Sequence, residues 1–235
     1  MHEFQPTRRT LLAAGIAAAG GVAAAAERSD ATPHEIQGID VSRWQREIDF
    51  ARVADAGIAF CFCKATEGLA HVDPRFAVNW PAMAAAGIVR GAYHFGRPGA
   101  DAARQADFVF ETVRPASGDL PLVLDLEQDD GLPPADVRGW TEAFVARLRD
   151  RLDRPPIIYT GRYFWSDKAG DGDALGCPLW LAAYVDDPAK YVPRAWGHWS
   201  FWQYTSKGSV PGVRGHVDRD AWHGDRAALD ALRLP

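Results

Sequence analysis

The chain has 235 residues, 47% of them hydrophobic and 24% charged, with a formal net charge of −5. That length and apolar content support one sizeable core. The acidic balance excludes the basic field that nucleic acid or an anionic membrane surface would need.

Residues 1–30 read as an export signal and short linker, outside the fold. In TRRTLLAAGIAAAGGVAAAAE, Arg8 and Arg9 make a charged start, a small and apolar stretch follows, and an Ala run precedes Glu27. This is the order of a secretory signal, and the adjacent arginines fit the twin-arginine type, an address read by a receptor. The segment is rich in Ala and Gly and short for a membrane span. The expectation is a periplasmic or extracellular protein, free of the membrane once the signal is removed, with residues 31–235 as one domain.

From Ile36 onward, β-branched or aromatic runs alternate with polar and helical stretches. The runs are GIDVS (38–42), IAFCFCKATEG (58–68), IVRGAYHFG (88–96), PLVLDLE (121–127), PPIIYTG (155–161), PLWLAAY (178–184), HWSFWQYTS (198–206) and GHVDRDAW (215–222). Each is predicted as a strand. Asp49 is placed to cap a helix containing Phe50, Val53 and Ala54 that stops at Gly57. Residues 74–86 suggest a helix that Pro81 delays or divides. Over 101–113, Ala102, Ala106, Val109, Phe110 and Val113 form an apolar stripe of helical period. Pro133 and Pro134 open a further helix faced by Val137, Phe144 and Leu148.

Strand alternating with helix implies parallel strands joined by crossovers. The gap from Tyr184 to His198 is short and rich in Pro and Gly, and that from Ser206 to Gly215 is shorter still. A crossover with a full helix needs about 10–12 residues or more, so the last three strands are expected to lack proper helices. The fold class is therefore α/β: an irregular, TIM-like barrel of eight strands and about five helices in a single domain.

Cys61, Cys63 and Cys177 are an odd count and a poor disulfide framework. Cys61 and Cys63 alternate with Phe60 and Phe62 and read as small buried hydrophobes. The seven histidines are scattered, without HExxH, and no CxxC is present, so no metal site is expected. Nine tryptophans predict either an aromatic-rich core or a groove lined with flat apolar faces.

Reactive residues of a β/α barrel collect where its strands end. Those ends carry Asp40, Lys64 and Glu67, Tyr93 and His94, Asp125 and Glu127, Tyr159, Tyr184, Gln203 and Tyr204, then Asp218 and Asp220. Acids at four ends predict carboxylates converging on a mouth. Asp125 and Glu127 are two apart on one strand, so both point to the same side with backbones about 6–7 Å apart. Acids so placed raise each other's pKa, and one can hold a proton while the other stays anionic. Glycosidic cleavage needs that division: a proton for the leaving oxygen and negative charge beside the developing oxocarbenium ion. A lone D-x-E also describes a solvated strand end. Lys64 reads equally as a partner of Glu67, and His94 as a satisfied supporting group.

Eight blocks in order, GIDVSRWQ, KATEG, DPRFAVNW, AGIVRGAYHFGRP, PLVLDLE, PIIYTG, FWQYTSKGSVPG and HVDRDAW, resemble glycoside hydrolase family 25. These are the N-acetylmuramidase lysozymes of the Chalaropsis type, and the likeness runs from Ile36 to about Trp222. The resemblance implies a (β/α)5(β)3 barrel without metal or organic cofactor. It implies cleavage of the β-1,4 bond between N-acetylmuramic acid and N-acetylglucosamine, with peptidoglycan glycan strands as the partner. Glu127 matches the family's general acid/base, and Asp125, Asp40 and Asp218 match its other acids. Tyr93 matches the tyrosine of the G-A-Y-H-F block. Glu67, Tyr159, Tyr184, Gln203 and Trp202 are candidate substrate-binding residues around the same mouth. Retention is expected, through a carboxylate nucleophile or the substrate's own 2-acetamido oxygen, and a D-x-E pair from one strand suits the second route. Ala183 stands where relatives often carry a polar side chain, a departure expected to touch a subsite. No cell-wall-binding repeat follows the barrel, so wall affinity is expected from the groove, and the protein is expected to be a monomer. Two other readings are a glycosidase acting on another N-acetylated glycan such as chitin and a non-catalytic glycan-binding barrel. The latter would lack the acid, and Glu127 is present.

Overall fold

A computed structural model describes residues 36–235. The expected signal and the boundary after it lie outside these residues. In chain order the elements are β1 (Gln37–Val41), α1 (Phe50–Asp55), β2 (Ile58–Glu67), β3 (His71–Val72), α2 (Phe76–Ala85), β4 (Val89–Phe95), α3 (Ala102–Val113) and β5 (Val123–Asp125). They continue as α4 (Pro134–Leu152), β6 (Ile157–Thr160), α5 (Arg162–Lys168), β7 (Leu179–Ala182), β8 (Phe201–Gly208), β9 (Val217–Trp222) and α6 (Arg226–Leu232).

The sheet order is β1-β9-β8-β7-β6-β5-β4-β2, and a further β1–β2 pairing closes it into an eight-stranded barrel. All eight predicted runs are strands of that barrel. Five helices, α1 to α5, join the successive parallel strands from β1 to β7. Between β7 and β8 only a 3-10 turn at Pro188–Tyr191 intervenes. The loop 209–216 is too short for a crossover, so β9 returns antiparallel to β8 and also lies antiparallel to β1. The start of β9, not its end, therefore stands at the mouth.

Local signals act as expected at most helix ends. Asp49 accepts from Arg52 N at 3.2 Å and Asp101 from Arg104 N at 2.8 Å, each capping its helix. Pro81 does not divide α2, which is one helix beginning at Phe76. Proline at this position leaves the carbonyl of Ala77 without its helical donor, and Ala77 is exposed, so water can replace the bond. The pair β2–β3 (Thr66 opposite Val72, Glu67 opposite His71) and helix α6 were not foreseen.

Strand alternation sorts the side chains into two layers. Phe60, Phe62, Val123, Ile157, Trp180 and Phe201 fill the barrel's interior. Phe62 stacks on Trp180 at 4.2 Å, and Phe201 meets Phe60 and Phe62 edge-on at 5.2 and 5.0 Å. Gly38 and Gly91 make room for these rings: a Cβ would lie 2.3 Å from Phe60 or 2.5 Å from Phe62. The opposite face, with Ile39, Val41, Cys61, Cys63, Leu122, Leu124 and Ile158, packs under the helices. Cys61 and Cys63 are buried, as expected, Cys177 is buried as well, and all three are free thiols. Where no helix covers β7 to β9, Trp199 and Trp202 close the outer face over Leu179, Leu181 and Ala221. Most tryptophans are thus core residues, and Trp44, at 64% exposure, is the outlier.

Candidate active site

Above the aromatic plug, the inward positions turn polar. Tyr93 and Tyr159 set their rings edge-on to Trp180 at 6.3 and 4.6 Å. Gln203 organises the next level. Its Nε2 donates to Asp40 Oδ2 at 2.7 Å, and its Oε1 accepts the hydroxyls of Tyr159 and Tyr184, each at 3.0 Å. Two hydroxyl donors on one side and a carboxylate on the other fix the orientation of the amide.

The acids gather here. Asp40 and Asp218 are register partners across β1 and β9. Burial raises the pKa of Asp40 well above the ordinary value, and the nearby charges of Asp218, Asp220 and Asp125 raise it further. Burial and then the charge of Glu127 do the same for Asp125. Asp218 rises to about 6, by burial and again by Glu127. Asp220 is fully buried, accepts from Trp180 Nε1 at 2.8 Å, and is likewise raised by burial. Burial and these acids hold the Tyr93 and Tyr159 hydroxyls protonated.

Within the D-x-E pair the structure separates the two carboxyls. Asp125 is the buried member, and its Oδ1 has no hydrogen-bond partner. Glu127 is exposed at the rim, within electrostatic reach of Asp125, Asp218 and Tyr159.

The chain on both sides of Glu127 is pinned. Leu126 N donates to Tyr159 O at 2.9 Å, and Thr160 Oγ1 donates to Leu126 O at 3.0 Å. Beyond it, Asp129 pairs with Lys168 at 2.9 Å, while Asp130 pairs with Arg97 at 3.4 Å and accepts from Gly99 N at 3.0 Å. Arg97 also binds Glu67, which Lys64 meets at 2.7 Å. Burial alone would raise the pKa of Glu67, but hydrogen bonds from Lys64 and Arg97 hold it at about 2. Buried Gln105 fixes the Arg97 backbone from both sides, donating to its carbonyl at 2.8 Å and accepting from its N–H at 3.0 Å.

The predicted residues Asp40, Asp125, Glu127, Asp218, Tyr93, Tyr159, Tyr184 and Gln203 are therefore brought together. Glu67 lies beside them as an ion-pair anchor with both carboxylate oxygens engaged. Trp202 is a correction. It alternates with inward Gln203, so it faces outward, is only 4% exposed, and donates to Ala183 O at 2.6 Å. Ala183 packs in the same outer cluster, so its departure from the family pattern does not reach the groove. His94 also points outward: Thr66 Oγ1 meets its Nδ1 at 2.8 Å and its Nε2 meets Gln105 Oε1 at 3.0 Å. Burial lowers its pKa to about 4, which makes it a neutral supporting group. The role of Arg97 went unread in the sequence, and Asp220, named there among the strand-end acids, was not put forward as a site residue. For Asp220 the signal was present, two residues from Asp218 on the same face. Among the described residues no group of three metal-ligating side chains occurs.

The model of glycosyl hydrolases family 25 matches residues 39–213. Lysozyme M1 of Streptomyces globisporus is 41% identical over 210 residues, covering 84% of this chain and 71% of the relative. The N,O-diacetylmuramidase of Chalaropsis sp is 34% identical over 202 residues, covering 78% and 96%. Among solved structures, the bacterial lysozyme from Streptomyces coelicolor is 39% identical with a TM-score of 0.80, covering 85% of this chain and 97% of that one. The family GH25 lysozyme from Aspergillus fumigatus is 31% identical with a TM-score of 0.79, covering 85% and 99%. With its barrel and its ring of inward acids, the chain belongs to glycosyl hydrolase family 25 and is a glycoside hydrolase.

Proposed function

We propose that the protein is an exported, monomeric lysozyme that hydrolyses the β-1,4 bond between N-acetylmuramic acid and N-acetylglucosamine in peptidoglycan. The lysozyme and muramidase names of its relatives support the substrate. The observation that carries the mechanism is the asymmetry of the acid pair: Asp125 buried with Oδ1 unpartnered, Glu127 exposed on a pinned chain. The paired arginines Arg8 and Arg9 support export, and no helix among the described residues is long and apolar enough to cross a membrane.

In the reaction the 2-acetamido oxygen of the muramic residue attacks C1 while the bond from C1 to the leaving oxygen breaks. Glu127 gives that oxygen its proton. A glycan lying over the rim takes Glu127 out of water and so favours its protonated form. Asp125 Oδ1 accepts the acetamido N–H, which becomes acidic as positive charge builds, and a carboxyl of raised proton affinity suits that task. Water then attacks C1 as the bond from C1 to the acetamido oxygen breaks, which restores the acetamide with its N–H; the water gives its proton to Glu127, with retention overall. Asp40 and Asp218 supply negative charge around the developing cation, and Gln203, itself fixed by Tyr159 and Tyr184, holds Asp40 in place.

A substrate carrying thioacetamide in place of the acetamide tests this route. A changed rate with accumulation of the cyclised intermediate is expected. Unchanged chemistry at an unchanged rate would return the choice to a carboxylate nucleophile.

A further inference from the structure

Asp40 and Asp218 sit opposite one another on β1 and β9. Beyond Val41 and before Val217 the two chain segments line a cavity of about 520 Å3, with Trp44, Arg46, Glu47, Arg214 and Gly215 on its wall. Its lining begins a few residues along the chain from Asp40 and from Asp218, at the strand ends that carry the acids. A neighbouring hollow of about 370 Å3 shares Glu47 and Arg214. Two arginines and one glutamate are among its lining residues. Neither Arg46 nor Arg214 is in an ion pair among the described residues, and both are exposed. Trp44 is 64% exposed, with the Arg43 guanidinium over its ring at 4.8 Å.

This chemistry is the reverse of the groove beside it. Asp40, Asp125, Glu127 and Asp218 repel an anionic substituent and tolerate a neutral sugar. A glycan whose alternate sugars bear carboxylate-ended peptides needs a place for those peptides away from the acids. We infer that the Trp44–Arg46–Arg214 cavity is a binding site for the carboxylates of the peptidoglycan stem peptide, so that the enzyme reads the peptide as well as the sugar. Arginine suits the task because its planar fork meets a carboxylate with two parallel hydrogen bonds. Trp44 adds an apolar face for the methyl groups of alanine side chains. The inference rests on the peptidoglycan reading given above.

The test compares two soluble, teichoic-acid-free glycans of equal length, one bearing stem peptides and one stripped of them by an amidase. Arg46 has φ of 56°, so it is replaced by Asn, which tolerates positive φ. For the double variant Arg46→Asn, Arg214→Gln, KM on the stem-bearing glycan is expected to rise about tenfold, with kcat within twofold. Kinetics on the stripped glycan should not change. Added salt should weaken the wild type more on the first substrate than on the second, whose muramic residues keep only their lactyl carboxylates, and the double variant should lose that extra salt dependence. Equal loss on both glycans, or no loss on either, overturns the site. Calorimetric binding of the two glycans to Glu127→Gln separates the readings. A preference for the stem-bearing glycan without wild-type hydrolysis keeps the site and removes the muramidase reading. Hydrolysis without any such preference does the opposite.

Discussion

Gln203 Nε2 donates to Asp40 Oδ2 at 2.7 Å, and so couples a buried carboxyl of β1 to the tyrosines of β6 and the loop after β7. Every polar atom of the Gln203 amide that faces the barrel is used. Leucine at this position would strand Asp40 and the Tyr159 hydroxyl, while exposed Tyr184 keeps water and Ser206 as partners. A buried polar group left without a partner costs about 1–3 kcal/mol. Gln203→Leu should therefore lower kcat/KM by about ten- to hundredfold and also lower the melting temperature. Steady-state kinetics and calorimetry check both.

The chain around Glu127 depends on ion pairs that a sugar need not touch. Asp130 has φ of 47°, so glycine is the fitting replacement: Asp130→Gly removes the tie to Arg97 and Gly99 without backbone strain. Exposed pairs contribute about 0–1 kcal/mol, so stability should scarcely change. Glu127 would lose its fixed approach to the leaving oxygen, and kcat should fall about tenfold with KM unchanged. A rise in KM alone would show that Asp130 acts in binding.

Stability should depend on pH in a definite direction. Asp40, Asp125, Asp218 and Asp220 all bind their protons more tightly in the fold than in the unfolded chain. For such groups folding weakens as pH rises from the unfolded pKa through the folded one. For Asp218 the window runs from 3.8 to about 6. Glu67 acts oppositely: its stabilisation is present above 4.5 and is lost as pH falls towards about 2. The melting temperature should peak in mild acid, about pH 5, and decline towards pH 8. Asp220→Asn should flatten that decline. A melting temperature that climbs steadily to pH 8 would contradict the assignment of these protons.

The fold and most of the site were legible in the sequence because both rest on local chemistry. Alternation of apolar runs marked all eight barrel strands, and short Pro- and Gly-rich gaps marked where helices are missing. Direction was harder. A short gap shows that a crossover is absent, but only pairing shows that β9 turns back, which reverses which of its ends meets the mouth. Trp202 was misplaced for a related reason. Next to an inward Gln203, strand period alone sends it outward, yet the aromatic-rich run HWSFWQYTS gives no sign of which face is the barrel's interior. The tie between Arg97 and Asp130 spans 33 positions and leaves no periodic trace. DLEQDD does show, in retrospect, two kinds of acid: Asp125 and Glu127 serve the groove, and Asp129 and Asp130 hold the chain that carries them.

The aromatic plug should be the barrel's main internal support. Phe62 is fully buried and stacked on Trp180 at 4.2 Å. Phe62→Ala should cost about 3–5 kcal/mol, measured by chemical denaturation. A loss under about 1 kcal/mol would mean the interior collapses to refill the space.

The most direct measurement compares Glu127→Gln with wild type on two substrates, peptidoglycan glycan and an aryl glycoside whose leaving group needs no proton. On the glycan, kcat should fall by about a hundred- to ten-thousandfold, with the fold and glycan binding retained. On the aryl glycoside the loss should be far smaller. Equal losses on both substrates, or clearing of cell walls at the wild-type rate, would contradict Glu127 as the proton donor.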